Sequence, residues 1–126
     1  MAKILAIDDD SAVADLLRVR LGEAGHAVVA AGDAARALAL AASEKPDLIT
    51  LDVRMPEVDG IELYRRLRGQ EGAARTPIIF VTGGDPAEIL DSIPADPRVS
   101  FIDKPIDMDH LARMIAALVG YPAAGE

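Results

Sequence analysis

The sequence predicts one α/β domain: a parallel sheet wrapped by helices on both faces. Three observations lead there. Short apolar runs alternate with helical-period segments five times along the 126 residues. The runs are almost uninterrupted apolar stretches rather than alternating ones, as strands buried on both faces must be. Finally, 126 residues fit a single core of ordinary domain size.

The elements follow in order. Ile4-Leu5-Ala6-Ile7 reads as the first strand. Ser11 to Ala24 carries Val13, Leu16, Leu17 and Leu21 at helical spacing, and Gly25 ends that helix. His26 to Ala30 is the second strand. Asp33 caps a second helix reaching about Glu44, with Leu38 and several alanines inward, and Lys45-Pro46 stops it. Asp47 to Leu51 is the third strand and leads into Asp52. Ile61 to Arg68 is the third helix, closed by Gly69. Pro77 to Val81 is the fourth strand. Asp85-Pro86-Ala87-Glu88 starts the fourth helix with an N-cap acid, a proline at the first position and a glutamate three residues after the cap. Pro94 and Pro97 keep it short. Arg98 to Ile102 is the fifth strand. Ile106 to Val119 is the fifth helix, with Met108, Leu111, Ile115 and Leu118 on one stripe. Residues 1–120 are expected to form the domain, with 121–126 as a frayed tail.

Composition narrows the function classes. The net charge of -8 repels nucleic-acid phosphates and anionic membranes, so direct nucleic-acid binding is not expected. The absence of cysteine excludes disulfides and thiolate metal sites, which is compatible with a cytoplasmic location. The start does not read as a signal peptide, and no apolar run approaches membrane-spanning length. His26 and His110 have no evident ligand set and are expected to be exposed.

In a parallel α/β sheet, ligands bind beyond the carboxyl ends of the strands. Those positions hold Asp8, Asp9 and Asp10 after the first strand, Asp52 at the end of the third, Thr82-Gly83-Gly84 after the fourth, and Lys104-Pro105 after the fifth. Carboxylates gathered in one place repel unless a cation intervenes. A hard divalent ion with oxygen ligands, Mg²⁺ first among them, answers that need. Such a site can present a phosphoryl group to a carboxylate nucleophile, with Lys104 as a fixed positive charge and Thr82 as a hydroxyl donor. Each part alone has an ordinary reading. Asp10 or Ser11 can simply cap a helix, Thr82-Gly83-Gly84 can be a loop, Lys104-Pro105 a surface turn, and Phe101 a core aromatic. The set in strand-end register is what carries the chemistry.

Four stretches resemble the receiver domains of two-component signalling. They are Ile4 through Asp10, Leu48 through Gly60 with Asp52, Met55-Pro56 and Asp59-Gly60 inside it, Ile78 through Gly83, and Phe101 through Pro105. The resemblance covers essentially the whole chain. It implies a flavodoxin-like doubly wound five-stranded parallel sheet, strand order 2-1-3-4-5, with five helices. It implies that Asp52 is the phosphoacceptor, fed by a histidine kinase or histidine phosphotransfer protein. Asp9 would bind Mg²⁺ directly and Asp8 largely through water, with Asp52 and the carbonyl of Arg54 completing the protein ligands. Thr82 and Lys104 would bind phosphoryl oxygens, and Phe101 would be the aromatic that moves inward when Thr82 moves. Pro105 would follow a cis bond. The face made by the fourth helix, fifth strand and fifth helix would switch and address a downstream protein target. Arg54 and Gly84 would tune the dephosphorylation rate. The sequence departs from the family where Ile93 to Ser100, with two prolines, replaces a small-residue turn before the switch aromatic. That argues against dimerisation through this face. A switch Phe also lacks a hydroxyl with which to report its position.

Two rival functions share these residue types. A haloacid-dehalogenase-type phosphatase calls for a second Asp two residues after the nucleophile, where this chain has Arg54. A nucleotide- or flavin-binding module calls for a phosphate-cradling loop after the first strand, where Asp8-Asp9-Asp10 would repel an anion.

Overall fold

The computed structural model describes residues 2–55, 59–83, 87–93 and 95–119. Gly84, the Asp85-Pro86 helix start, Pro56, Pro94 and the 121–126 tail lie outside the described residues. The strands are β1 (Lys3–Ile7), β2 (Ala27–Ala31), β3 (Leu48–Asp52), β4 (Ile78–Thr82) and β5 (Val99–Asp103). The helices are α1 (Ser11–Glu23), α2 (Ala34–Glu44), α3 (Gly60–Arg68), α4 (Ala87–Ser92) and α5 (Met108–Val119), with a 3-10 turn at Glu71–Ala73. All strand pairings are parallel, in the order β2-β1-β3-β4-β5. The parallel sheet is the one the apolar runs predict, and its strand order is the one the family resemblance implies.

Side chains alternate between the two faces of each strand, so the core has two halves. One half joins Leu5, Ile7, Ile49, Leu51, Ile78 and Phe80 to Ala37 and Ala41 of α2, to Ile61, Leu63, Tyr64 and Leu67 of α3 and to Ile89 of α4. The other joins Ile4, Ala6, Leu48, Ile79, Val81 and Ile102 to Leu17 and Leu21 of α1 and Leu111 and Ile115 of α5. The central strands β3 and β4 are buried throughout.

The local signals act as their chemistry predicts. Asp10, Asp33 and Asp59 each accept a backbone N–H at the start of a helix, from Ala12, Arg36 and Ile61. Gly25 takes φ +95 after α1, a conformation that favours glycine. The Lys104–Pro105 peptide is cis, as the resemblance implies.

Several expectations are corrected. Each strand begins one residue later in the interior register than the apolar run suggests, except β1, which begins one earlier at Lys3. Asp52 ends β3 as expected, and backbone pairing also continues through Thr82 and Asp103, which are the last residues of their strands rather than the first residues after them. Leu16 of α1 is 45% exposed, because Val13, Leu17 and Leu21 at four-residue spacing already define the inward stripe. Leu38 is only partly buried, and Ala37 and Ala41 make the close contact of α2. His26 is half-buried, not exposed: its Nδ1 accepts the Ala2 N–H at 3.0 Å. His110 is exposed as expected.

Candidate functional site

Parallel pairing and register build the site. β1 and β3 run side by side with Ile7 opposite Leu51, which brings Asp8 beside Asp52 at the carboxyl end of the sheet. Both are nearly buried, at 5% and 4% exposure. Asp9 is exposed at the rim. Carboxylate oxygens of Asp8, Asp9 and Asp52 lie within 4.8 Å of one another. Asp10 turns away to cap α1, while its N–H donates to Asp8 Oδ1 at 2.8 Å.

One cation enters this cluster among the described residues. Lys104 Nζ lies 3.4 Å from Asp52 Oδ2 and 3.8 Å from Asp8 Oδ2. Its backbone N–H donates to the Thr82 carbonyl at 2.7 Å, tying the turn after β5 to the end of β4. A single ammonium does not balance the carboxylates. Burial pushes the Asp8 carboxyl up from its ordinary 3.8 to about 6; the Asp10 N–H opposes the rise, the charge of Asp52 adds to it and Lys104 lowers it. Asp8 is thus a buried acid facing another acid with surplus negative charge around it. Three carboxylates within reach of one ion, all oxygen donors, fit a hard divalent cation.

The loop after β3 is held close behind Asp52. Arg54 N–H donates to Asp52 Oδ1 at 3.2 Å, Arg54 bridges Asp59, and Gly60 N–H donates to the Val53 carbonyl at 3.0 Å. A Cβ on Gly60 would stand 2.7 Å from the Asp52 carbonyl oxygen and 2.8 Å from Val53 Cα. Here glycine is required by backbone approach alone. The side chain of Arg54 is exposed and makes no ion pair among the described residues.

Thr82 is 5% exposed and its hydroxyl donates to Asp103 Oδ1 at 3.2 Å. Phe101 is half-buried and stacks on Phe80 with centroids 5.8 Å apart. The fold therefore gathers Asp8, Asp9, Asp52 and Lys104 into one cluster, with the Arg54 N–H on Asp52. Thr82 ends β4 one residue beyond Val81, the register partner of Asp52. Phe101 is set apart, on the opposite face of the sheet from the Asp52 side chain. Gly84, the remaining expected residue, lies outside the described residues.

Residues 4–116 match the family model of the response regulator receiver domain. The chain belongs to that family. Among curated relatives, it is 37% identical over 123 residues to the DNA-binding dual master transcriptional regulator RpaA of Synechocystis, covering 94% of this chain and 49% of that protein. The chain thus spans about half the length of the curated relatives it first matches. Among solved structures it is similar to the Vibrio cholerae chemotaxis protein CheY4, with TM-score 0.87 and 30% identity over 94% of this chain and 98% of that one. It is also similar to the receiver domain of the sensor histidine kinase PA1611 from Pseudomonas aeruginosa, which carries a magnesium ion in its active-site cleft. That match has TM-score 0.83 and 27% identity, over 95% of this receiver and 98% of that chain. In this receiver the pocket of Asp8, Asp9 and Asp52 is the feature that points to Mg²⁺.

Sequence reasoning missed two groups. Asp103 was passed over as the residue before Lys104, although strand alternation places it on the same face as Thr82 and Phe101. The second is a network at the other end of the sheet. Tyr64 OH donates to Asp96 Oδ2 at 2.8 Å, Arg68 Nε donates to the same oxygen at 3.1 Å, and Arg68 also reaches the carbonyls of Ala73 and Thr76. Nothing in a linear reading pairs residues 64, 68 and 96, because only the tertiary fold brings α3 to the loop before β5.

Proposed function

We propose that this receiver accepts a phosphoryl group on Asp52 from the phosphohistidine of a histidine kinase or histidine phosphotransfer protein, in a Mg²⁺-dependent reaction. The arrangement that supports this best is Asp52 itself: a buried carboxylate ending the central strand, with Lys104 Nζ 3.4 Å from Oδ2 and two further acids beside it. An Asp52 oxygen forms the new O–P bond as the N–P bond of the donor breaks, and the donor imidazole keeps the electron pair. Lys104 pairs with a phosphoryl oxygen in place of part of its contact to Asp52. The Thr82 hydroxyl donates to a second oxygen. Asp8, Asp9, Asp52 and the Arg54 carbonyl are the groups that would hold Mg²⁺, which when bound neutralises charge on the phosphoryl oxygens.

Phosphorylation then biases two states of one surface. Thr82 turns toward the phosphoryl group, Phe101 moves inward against Phe80, and the face formed by α4, β5 and α5 presents a different surface to a downstream protein. The chemistry is confined to the receiver's own phosphorylation and dephosphorylation. Arg54 and Gly84 set the rate of the latter in opposite senses, Gly84 by leaving a water path open and Arg54 by covering the phosphoryl group. The functional unit is residues 1–120, the location cytoplasmic, and the output is read by a protein rather than by direct contact of this acidic domain with nucleic acid. No helix among the described residues is long and apolar enough to cross a membrane.

Transfer from a ³²P-labelled histidine phosphotransfer protein tests the reading. Label should move to this chain and be released by hydroxylamine, as an acyl phosphate is. Label that persists in Asp52→Asn would overturn the assignment of the acceptor.

A further inference from the structure

Asp103 takes no part in the reaction described above, yet it holds a group that does. Thr82 and Asp103 are register partners across β4 and β5, so their side chains stand together on one face of the sheet. The preceding pair on that face is Phe80 and Phe101, which stack. The hydroxyl that reaches for the phosphoryl group and the aromatic that follows it therefore occupy neighbouring rungs of one ladder. In the unphosphorylated receiver that hydroxyl donates to Asp103 Oδ1 at 3.2 Å. A hydroxyl carries one proton, so it cannot donate to Asp103 and to a phosphoryl oxygen together. The backbones are fixed to each other, with Lys104 N–H on the Thr82 carbonyl at 2.7 Å. The exchange is thus a side-chain rotation of Thr82 between two rotamers rather than a separation of strands.

We infer that Asp103 is a positioning residue that holds the Thr82 hydroxyl in the unphosphorylated state and is displaced when Asp52 carries a phosphoryl group. The inference rests on the phosphoacceptor reading. It supplies the differential contact that a population shift requires: one hydrogen bond present in the resting state and absent in the phosphorylated one. Asp103 is exposed, so on release its carboxylate returns to water. The latch accordingly biases the equilibrium by a modest factor and does not lock it.

Beryllofluoride with Mg²⁺ is the probe, standing in for the phosphoryl group on Asp52, and ¹⁹F NMR reads its apparent affinity for the full chain. Asp103→Ala should bind it about three- to tenfold more tightly, the scale of one net hydrogen bond. Asp103→Asn, which keeps an acceptor oxygen without the charge, should stay near wild type. In a Thr82→Ala background the gain from Asp103→Ala should disappear. The inference is overturned if Asp103→Ala leaves the affinity unchanged, if Asp103→Asn tightens binding as much as Ala does, or if the gain survives without the Thr82 hydroxyl. The last two outcomes would assign the effect to charge repulsion alone. A wild-type chain that forms no adduct, with Asp52→Asn indistinguishable from it, overturns the phosphoacceptor reading and this inference together.

Discussion

Two partly buried carboxylates at opposite ends of the sheet are shifted in opposite directions from the ordinary carboxylate pKa. Asp8, beyond the carboxyl end of β1, is pushed up to about 6 by burial, with Asp52 adding to the rise. Asp96, in the loop that leads into β5, is also partly desolvated. Its carboxyl is nevertheless held below the ordinary value, because the Arg98 N–H, Tyr64 and Arg68 all donate to it and the Arg68 guanidinium adds its charge. The same residue type is thus satisfied at one end and left wanting at the other. A carboxylate with a full set of donors fixes α3 to the loop before β5. A carboxylate that faces other carboxylates keeps a raised pKa and unbalanced negative charge, which is what the proposed Mg²⁺ site calls for.

The largest expected effect tests how the functional end is built. Gly60→Ala places a methyl against the backbone of Asp52 and Val53, where no flexible side chain can yield. It should cost roughly 2–4 kcal/mol in chemical denaturation and should also slow phosphorylation in the protein that remains folded. Loss of stability with an unchanged rate would mean that the loop does not position Asp52.

Next comes the structural end. Asp96→Ala removes the partner of Arg68, whose side chain is only 14% exposed. The expected loss is about 2–3 kcal/mol, below that of a fully buried pair, with the phosphorylation rate of the folded protein unchanged. Tyr64→Phe, which deletes one hydrogen bond of the same network, should cost about 1 kcal/mol. A slower phosphorylation rate in either variant would join the two ends that this account separates.

Asp8 gives the comparison a sign. Its raised value means that folding disfavours the ionised form. The resulting cost is absent below the ordinary value near 3.8, grows as pH rises, and is fully present above about 6. Asp8→Asn should therefore stabilise the metal-free protein at pH 7, by about 1 kcal/mol after allowance for the open rim of the site, while weakening Mg²⁺ binding. In wild type, Mg²⁺ affinity should fall as pH drops below about 6, because the ion must compete with the proton on Asp8. Calorimetric titration between pH 5 and 8 checks both, and a flat profile would remove Asp8 from the ligand set.

The smallest effect concerns the exposed Arg54. Arg54→Ala should change the half-life of the phosphorylated protein without changing stability. An unchanged half-life would take Arg54 out of the dephosphorylation step.

The candidate site was legible in the sequence because its parts sit at a fixed place in each strand–helix unit. Asp8, Asp52, Thr82 and Lys104 can be found by asking only what ends each strand. Strand order came from the resemblance, since an apolar run such as Leu48 to Leu51 records burial and not its neighbours. The one-residue shifts have the same origin: hydrogen-bonded pairing runs past the last apolar side chain to Asp52, Thr82 and Asp103. The Tyr64–Arg68–Asp96 network was not legible because Asp96 lies 28 residues from Arg68 and leaves no periodic mark. His26 reads as a surface polar residue until the Ala2 N–H is placed beside it.

The central claim is that Asp52 is the phosphoacceptor, and intact mass after incubation with acetyl phosphate and Mg²⁺ tests it most directly. The expected result is a gain of one phosphoryl group, lost in Asp52→Asn and lost again when a chelator removes the metal. No gain, under conditions that label another receiver domain, would contradict it.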